Sequence, residues 1–440
     1  MSAKGSKIDF LITPIRQFIR QEKSGGIVLL ISILLAIFLA NSPWSEAYFR
    51  FLEQKFGFFF NGEKYLEFSI QHWINDGLMA MFFFVVGLGL KRELIAGELS
   101  DRRKALLPAG AALGGMIVPA LIFILLNPVG EASKGWGIPM ATDIVFALGV
   151  LFLVGSKVPL SLKIFLTALA IVDDLAAVLV IAFFYTSEIS LTNLLIAFCF
   201  MMVMFAANKM GVRNIVFYAV VGIGGLWVAF LLSGIHATIA AVIAAFLIPA
   251  DARIDENEYA DNIDDYLSQF KEIDPNNFPT LTGEQVHVLS EIKGRTNQAI
   301  PPLQRLEHAI HPFVNFVVIP LFVLANAGVS FAGFGFDKLF DGHIALGVFG
   351  GLVLGKVIGI SSVTWLFIKL KIAPASKGMT LKNIIGLGFL GAIGFTMSLF
   401  ITSLAFSGET HLMQAKVGLF AASIVGGLLG YLILRGKEPN

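Results

Sequence analysis

Residues 161–184 read SLKIFLTALAIVDDLAAVLVIAFF, an apolar stretch whose charges are Lys163 near its start and two adjacent aspartates, Asp173 and Asp174. About 20 mostly apolar residues suffice for a helix to cross a hydrocarbon layer of about 30 Å. At about 1.5 Å per residue, Asp173 lies about 18 Å into this segment, near the middle of such a layer. An ionisable group at that depth costs about 2.5–3.5 kcal/mol on insertion scales, so it points to function by default.

The flanking sequence repeats the pattern. The 440 residues are 56% hydrophobic and 14% charged, with a mean hydropathy of +0.79. Soluble domains carry about 25% charged residues. The reading is an all-α polytopic membrane protein with about twelve transmembrane helices, at 26–43, 69–90, 105–126, 137–155, 161–184, 190–208, 214–232, 235–250, 308–331, 342–369, 381–406 and 413–434. Of the 32 Lys and Arg, 25 fall on one side of this arrangement and six on the other, with Lys356 inside the membrane. The richer side is cytoplasmic by the positive-inside rule, which puts both termini there. The apolar run from Ile27 to Ala40 follows a basic start and reads as an uncleaved first span. Residues 9–22 suit a short amphipathic helix at the membrane surface.

A net charge of +1 gives no footprint for nucleic acid, and a single Cys199 excludes an internal disulfide. The chain is expected to form one transporter domain. Its non-membrane pieces are a cytoplasmic N-terminus at 1–25, an extracytoplasmic loop at 46–68 and an acidic cytoplasmic loop at 251–301. The last holds eleven acids against four Lys and Arg and reads as a solvated loop with a short helix near 282–293. In 46–68, Asn61-Gly62 separates two aromatic-rich runs, the signal of a two-residue β-hairpin. The open edges of such a hairpin suit pairing with a second copy, giving a homodimer beside the membrane lipid.

The candidate site follows from depth. Asp143 lies in 137–155 and Asp173 in 161–184, and the short loop between these segments makes them antiparallel neighbours facing each other near mid-membrane. Adjacent helical residues differ by about 100°, so one of Asp173 and Asp174 lines a small site and the other a wet access path. Burial favours the protonated form of a carboxyl group and a nearby cation favours the ionised form, so one group holds a proton or a hard cation but not both. Asp143, the hydroxyl of Thr142 and unwound backbone offer the oxygens that hard cations prefer. Lys356 requires a buried counter-charge, and Asp173 is the natural one. Pro139 precedes Ala141-Thr142-Asp143, and Gly391-Ala392-Ile393-Gly394 interrupts 381–406. Interrupted spans in the fourth and eleventh positions point to broken helices around a transport site, their end charges compensated by Asp143 and Lys356.

Several stretches together resemble the NhaA family of bacterial sodium/proton antiporters over nearly the whole chain. They are Trp73-Ile74-Asn75-Asp76, Ala141-Thr142-Asp143-Ile144, Ala170-Ile171-Val172-Asp173-Asp174-Leu175, Ser233-Gly234-Ile235-His236-Ala237-Thr238, Leu306-Glu307-His308 with His311-Pro312, Ala325-Asn326-Ala327-Gly328-Val329-Ser330 and Gly394-Phe395-Thr396-Met397-Ser398. The resemblance implies inverted repeats with two broken, crossing helices, and sodium bound at Asp173 and Asp174. It implies electrogenic exchange of Na+ or Li+ for H+, serving sodium and pH homeostasis, with no enzymatic activity and no cofactor. It also implies activation at alkaline pH through a cytoplasmic-mouth cluster of Arg92, Glu93, Glu307, His308 and His311, with Asp76 and His236 nearby. The chain departs from the family at Gly89, where a glutamate is usual, at Gln304, where a lysine is usual, and in the length of 251–301. These departures touch the regulatory mouth and not the ion site. An intramembrane aspartyl protease also uses two aspartates on neighbouring spans, but its Gly-x-Gly-Asp stretch is missing at Asp143 and Asp173. A passive channel favours rings of charge or carbonyls from several subunits, which a single Asp/Lys set does not supply.

Overall fold

The apolar segments fold as helices because hydrocarbon leaves backbone groups no partner outside their own segment. The structure, a computed structural model, describes residues 23–60, 63–155, 158–186, 189–273, 278–330, 343–373 and 378–436. The proposed surface helix at 9–22 and the Asn61-Gly62 turn lie outside the described residues. The described residues begin with α1 (Lys23–Ala40), α2 (Ser45–Glu53) and an antiparallel hairpin of β1 (Lys55–Phe60) and β2 (Glu63–Ser69). A long helix, α3 (70–96), leads to α4 (Arg102–Leu126). There follow α5 (Glu131–Met140, a 3-10 helix), α6 (Ile144–Val154), α7 (Leu160–Phe184), α8 (Leu191–Lys209), α9 (Ile215–Leu231) and α10 (Ala237–Leu247). The last group is α11 (Glu256–Glu272), α12 (Gly283–Ala299), α13 (Pro302–Asn326), α14 (Ile344–Lys369), α15 (Leu381–Gly391), α16 (Phe395–Ala405) and α17 (Glu409–Arg435).

Each expected apolar segment is matched in position by a helix or a bent helix pair. By length and composition six described helices can cross a membrane, or nine with each bent pair taken as one span. The outward faces are apolar, with Leu125, Phe183 and Leu153 each more than two-thirds exposed, as lipid-facing surface requires.

Close packing fixes the interior. A Cβ on Gly114 of α4 would lie 2.4 Å from the carbonyl oxygen of Gly359 on α14, and one on Gly359 would lie 2.1 Å from that of Gly114. Small residues at such crossings let membrane helices approach backbone to backbone. Beside them, a Cβ on Gly355 would meet Pro119 Cα at 2.6 Å. The turn Gly351–Gly355 is π-helical and leads directly into Lys356.

The acidic stretch 251–301 corrects the sequence reading. It is a pair of antiparallel helices, α11 and α12, and not a loop with one short helix. Tyr259 Oη lies 3.1 Å from Thr296 Oγ1, and Arg253 N–H bonds to Gln298 O at 2.9 Å, closing the base. Asp255 caps α11, and Thr282 with Gln285 forms a reciprocal capping box on α12.

Candidate functional site

Two interrupted helices meet at their breaks. The α5–α6 pair bends by 41° and the α15–α16 pair by 46°. They are stitched together where regular hydrogen bonding stops. Asp143 N–H donates to Ile393 O at 2.6 Å, and Ser398 Oγ donates to Ile138 O at 2.7 Å.

Asp143 is the N-cap of α6. Its Oδ1 accepts from Val145 N–H at 3.1 Å and Phe146 N–H at 3.2 Å. Its Oδ2 accepts from Thr396 N–H at 2.9 Å and Thr396 Oγ1 at 2.6 Å, in the first turn of α16. One carboxylate therefore serves two helix N-termini, where partial positive charge collects. Ionised carboxylate offers about four acceptor positions, and these four bonds fill them. The structure thus places Asp143 against the two helix N-termini and its neighbour Thr142 against Asp173.

Thr142 Oγ1 lies 2.6 Å from Asp173 Oδ2 and 3.0 Å from Gly391 O. A single hydroxyl proton serves one acceptor at a time. Lys356 Nζ forms an ion pair with the same Asp173 Oδ2, and both side chains are fully inaccessible. The Lys356 ammonium thus lies directly against a carboxylate of α7. Asp174 is only 3% exposed, which contradicts its expected place on a wet path. Asp173 Oδ1 and Asp174 Oδ1 are buried oxygens with no hydrogen-bond partner among the described residues. Such hard, unsatisfied acceptors next to a displaceable ammonium suit a small cation.

The expected regulatory residues separate into two groups. Arg92 Nε bonds to Glu307 Oε2 at 3.1 Å, and Arg92 Nη1 lies 3.3 Å from Glu93 Oε1. A Cβ on Gly89 would lie 3.6 Å from Glu307 Oε1, so the departure at Gly89 faces this group. His308 and His311 are exposed on α13, with Asn315 Nδ2 3.4 Å from the His311 ring. Asp76 and His236 are not near this mouth. Sixteen residues of α3 separate Asp76 from Arg92, about 24 Å at helical rise. Asp76 Oδ2 lies 3.3 Å from His72 Nε2, and its Oδ1 lies 3.9 Å from His236 Nδ1. His236 Nε2 lies 2.8 Å from Tyr185 O, which can only accept, so that nitrogen donates.

Sequence reasoning missed His72 and the role of Thr396. His72 stands four residues before Asp76, a same-face spacing that was readable. Nothing in the sequence says that the Thr396 hydroxyl turns toward Asp143.

A multi-pass helical membrane protein with crossed broken helices around a buried aspartate–lysine pair belongs to the class of secondary transporters. Residues 16–434 match the Na+/H+ antiporter 1 family model, and the chain belongs to that family. It is 46% identical over 428 residues to the Na(+)/H(+) antiporter NhaA 2 of Syntrophotalea carbinolica, covering 97% of each chain. It is also 46% identical over 438 residues to the Na(+)/H(+) antiporter NhaA of Oleidesulfovibrio alaskensis, covering 98% of this chain and 97% of that one. Among solved structures, the sodium proton antiporter MjNhaP1 from Methanocaldococcus jannaschii overlays with a TM-score of 0.48 at 12% identity, over 97% of this chain and 100% of that one.

Proposed function

We propose that the chain is an electrogenic antiporter of the bacterial inner membrane, expelling Na+ or Li+ in exchange for more than one entering proton. The observation that carries this reading is the Lys356–Asp173 ion pair beside two unpartnered carboxylate oxygens, all buried. Sodium arriving from the cytoplasm binds Asp173 and Asp174, with the Thr142 hydroxyl as a further oxygen. Binding displaces the Lys356 ammonium from Asp173, and the lysine and the Asp174 carboxyl each give up a proton to the cytoplasm. Movement of the broken-helix unit exposes the site outside, where two protons displace sodium. Asp174 and Lys356 carry those protons back, and Asp173 pairs with the lysine again. Throughout the cycle Asp143 holds the two helix N-termini, so the break survives changes of charge a few residues away.

Both termini and the α11–α12 pair belong on the cytoplasmic side by the distribution of Lys and Arg. Alkaline activation is assigned to Arg92, Glu93, Glu307, His308 and His311 at the cytoplasmic mouth. Asp76, His72 and His236 form a second polar cluster toward the other face. The β1–β2 hairpin pairs two copies into a dimer.

The test uses purified protein in liposomes holding a proton gradient reported by a fluorescent dye. Sodium and lithium are expected to collapse the gradient, potassium is not, and Asp173→Asn abolishes the effect. Equal collapse by potassium and in the Asp173→Asn protein would overturn the proposal.

A further inference from the structure

Two hydroxyls on α14 lack a partner where burial demands one. Ser361 and Thr364 lie five and eight residues beyond Lys356, about 7.5 and about 12 Å along the helix toward its Lys369 end. Thr364 is fully buried and Ser361 nearly so. Neither Ser361 Oγ nor Thr364 Oγ1 has a hydrogen-bond partner among the described residues. Helical hydroxyls elsewhere in the chain bond to the carbonyl one turn back, as Ser32 does to Val28 O at 2.9 Å and Thr402 to Ser398 O at 2.7 Å. Ser361 and Thr364 do not.

An unpaired buried hydroxyl costs about 1–3 kcal/mol, and lipid offers nothing to pair with it. Water is the remaining partner for two hydroxyls in series. The facing wall is α15, the next helix in the chain. A Cβ on Gly388 would lie 3.5 Å from Ser361 Oγ and 3.0 Å from Val357 Cα, so the two backbones nearly touch there. Asn383, buried on α15 five residues nearer the same end, donates to Gly378 O at 2.8 Å. Ser361 thus faces the seam, and Thr364 follows it by one turn toward the end where α14 finishes and α15 begins.

We propose that the α14–α15 seam, lined by Ser361 and Thr364, is a water-mediated proton route joining Lys356 to the cytoplasm, separate from the path that sodium takes to Asp173. It rests on the reading of Asp173 and Lys356 as the exchange site. The ammonium of Lys356, released from Asp173 by an incoming sodium ion, gives one proton to the first water of the seam and is left as neutral amine. Each hydroxyl accepts a proton on one side and donates its own on the other, which a hydroxyl does and a methyl group does not. The proton leaves to bulk water, and no other reactant is needed.

The experiment compares the wild type with the Ser361→Ala/Thr364→Val double variant in liposomes by two assays. One is sodium-driven proton movement; the other is exchange of labelled for unlabelled sodium with no pH gradient, which moves no net protons. The expected result is loss of sodium/proton exchange by about tenfold or more, with sodium/sodium exchange kept within about twofold. Thr364→Ser restores proton movement, because it restores the hydroxyl. Unchanged rates in both assays would overturn the proposal. So would an equal fall in both, which would mean the hydroxyls act only in packing. An Asp173→Asn protein that retained sodium/sodium exchange would contradict the underlying site, whatever the seam variants did.

Discussion

Asp143, three residues past the short helix α5, and Asp173, in mid-helix α7, show how local geometry divides the hydrogen-bonding of buried carboxylates. Asp143 is saturated by four donors from two helix N-termini, while Asp173 keeps one oxygen without a partner. Removing the Thr396 hydroxyl as Thr396→Val takes one charge-assisted bond from Asp143. It should lower stability by about 1.5–3 kcal/mol, read as a lower melting temperature, with the apparent affinity for sodium unchanged. The Lys356–Asp173 pair behaves differently. Lys356→Met alone leaves a buried, uncompensated carboxylate and should cost about 3–5 kcal/mol. The Lys356→Met/Asp173→Asn double variant should recover much of that loss in the same melt. A double variant no more stable than Lys356→Met would show that the pair is not coupled. Depth within an apolar segment made Asp173 and Lys356 legible in the sequence. It could not assign Asp143, because the number of donors a carboxylate meets depends on the crossing of helices about 250 residues apart.

At the scale of elements, the positions of the apolar helices were legible, since hydrocarbon thickness fixes a length that the sequence must meet. The breaks were legible too, from Pro139 and from Gly391 with Gly394. Which helices touch was not, because 44 glycines mark many possible crossings and only the folded chain pairs Gly114 with Gly359. The α11–α12 pair was misread as a loop because its helices are polar on average, and the apolar stripe of α11 at Tyr259, Ile263, Tyr266 and Phe270 went unread. Their capping signals, Asp255 and Thr282-x-x-Gln285, were the better guide. The crossing gives a sharp comparison. Gly359→Ala drives a methyl group into the Gly114 carbonyl and should cost about 1–3 kcal/mol or more. Gly149→Ala in α6, where a Cβ meets nothing within 4 Å, should be neutral or stabilising by about 0.5–1 kcal/mol. Equal melting temperatures for the two variants would contradict the close approach of α4 and α14.

Across the whole molecule, the site is held by helices whose outer faces are apolar and whose ends carry the charges. The β1–β2 hairpin, with Phe56 paired to Phe68 and Lys55 to Ser69, rests on the start of α3, where Trp73 Nε1 donates to Phe56 O at 2.9 Å and Phe68 stacks on His72. Two strands alone are marginal in water, which favours a partner edge. Replacing residues 55–69 by a short Gly/Ser linker should convert a dimer to a monomer by light scattering in detergent, with exchange in liposomes retained. A dimer that survives this change would place the interface elsewhere.

The central claim is that sodium and protons compete for Asp173 and its ion pair with Lys356. The direct measurement adds sodium to purified protein in a weakly buffered solution and counts the protons released. Wild type should release protons on adding sodium or lithium and none on adding potassium, and Asp173→Asn should release none with any of them. An Asp173→Asn protein that released as many protons as the wild type would contradict the account.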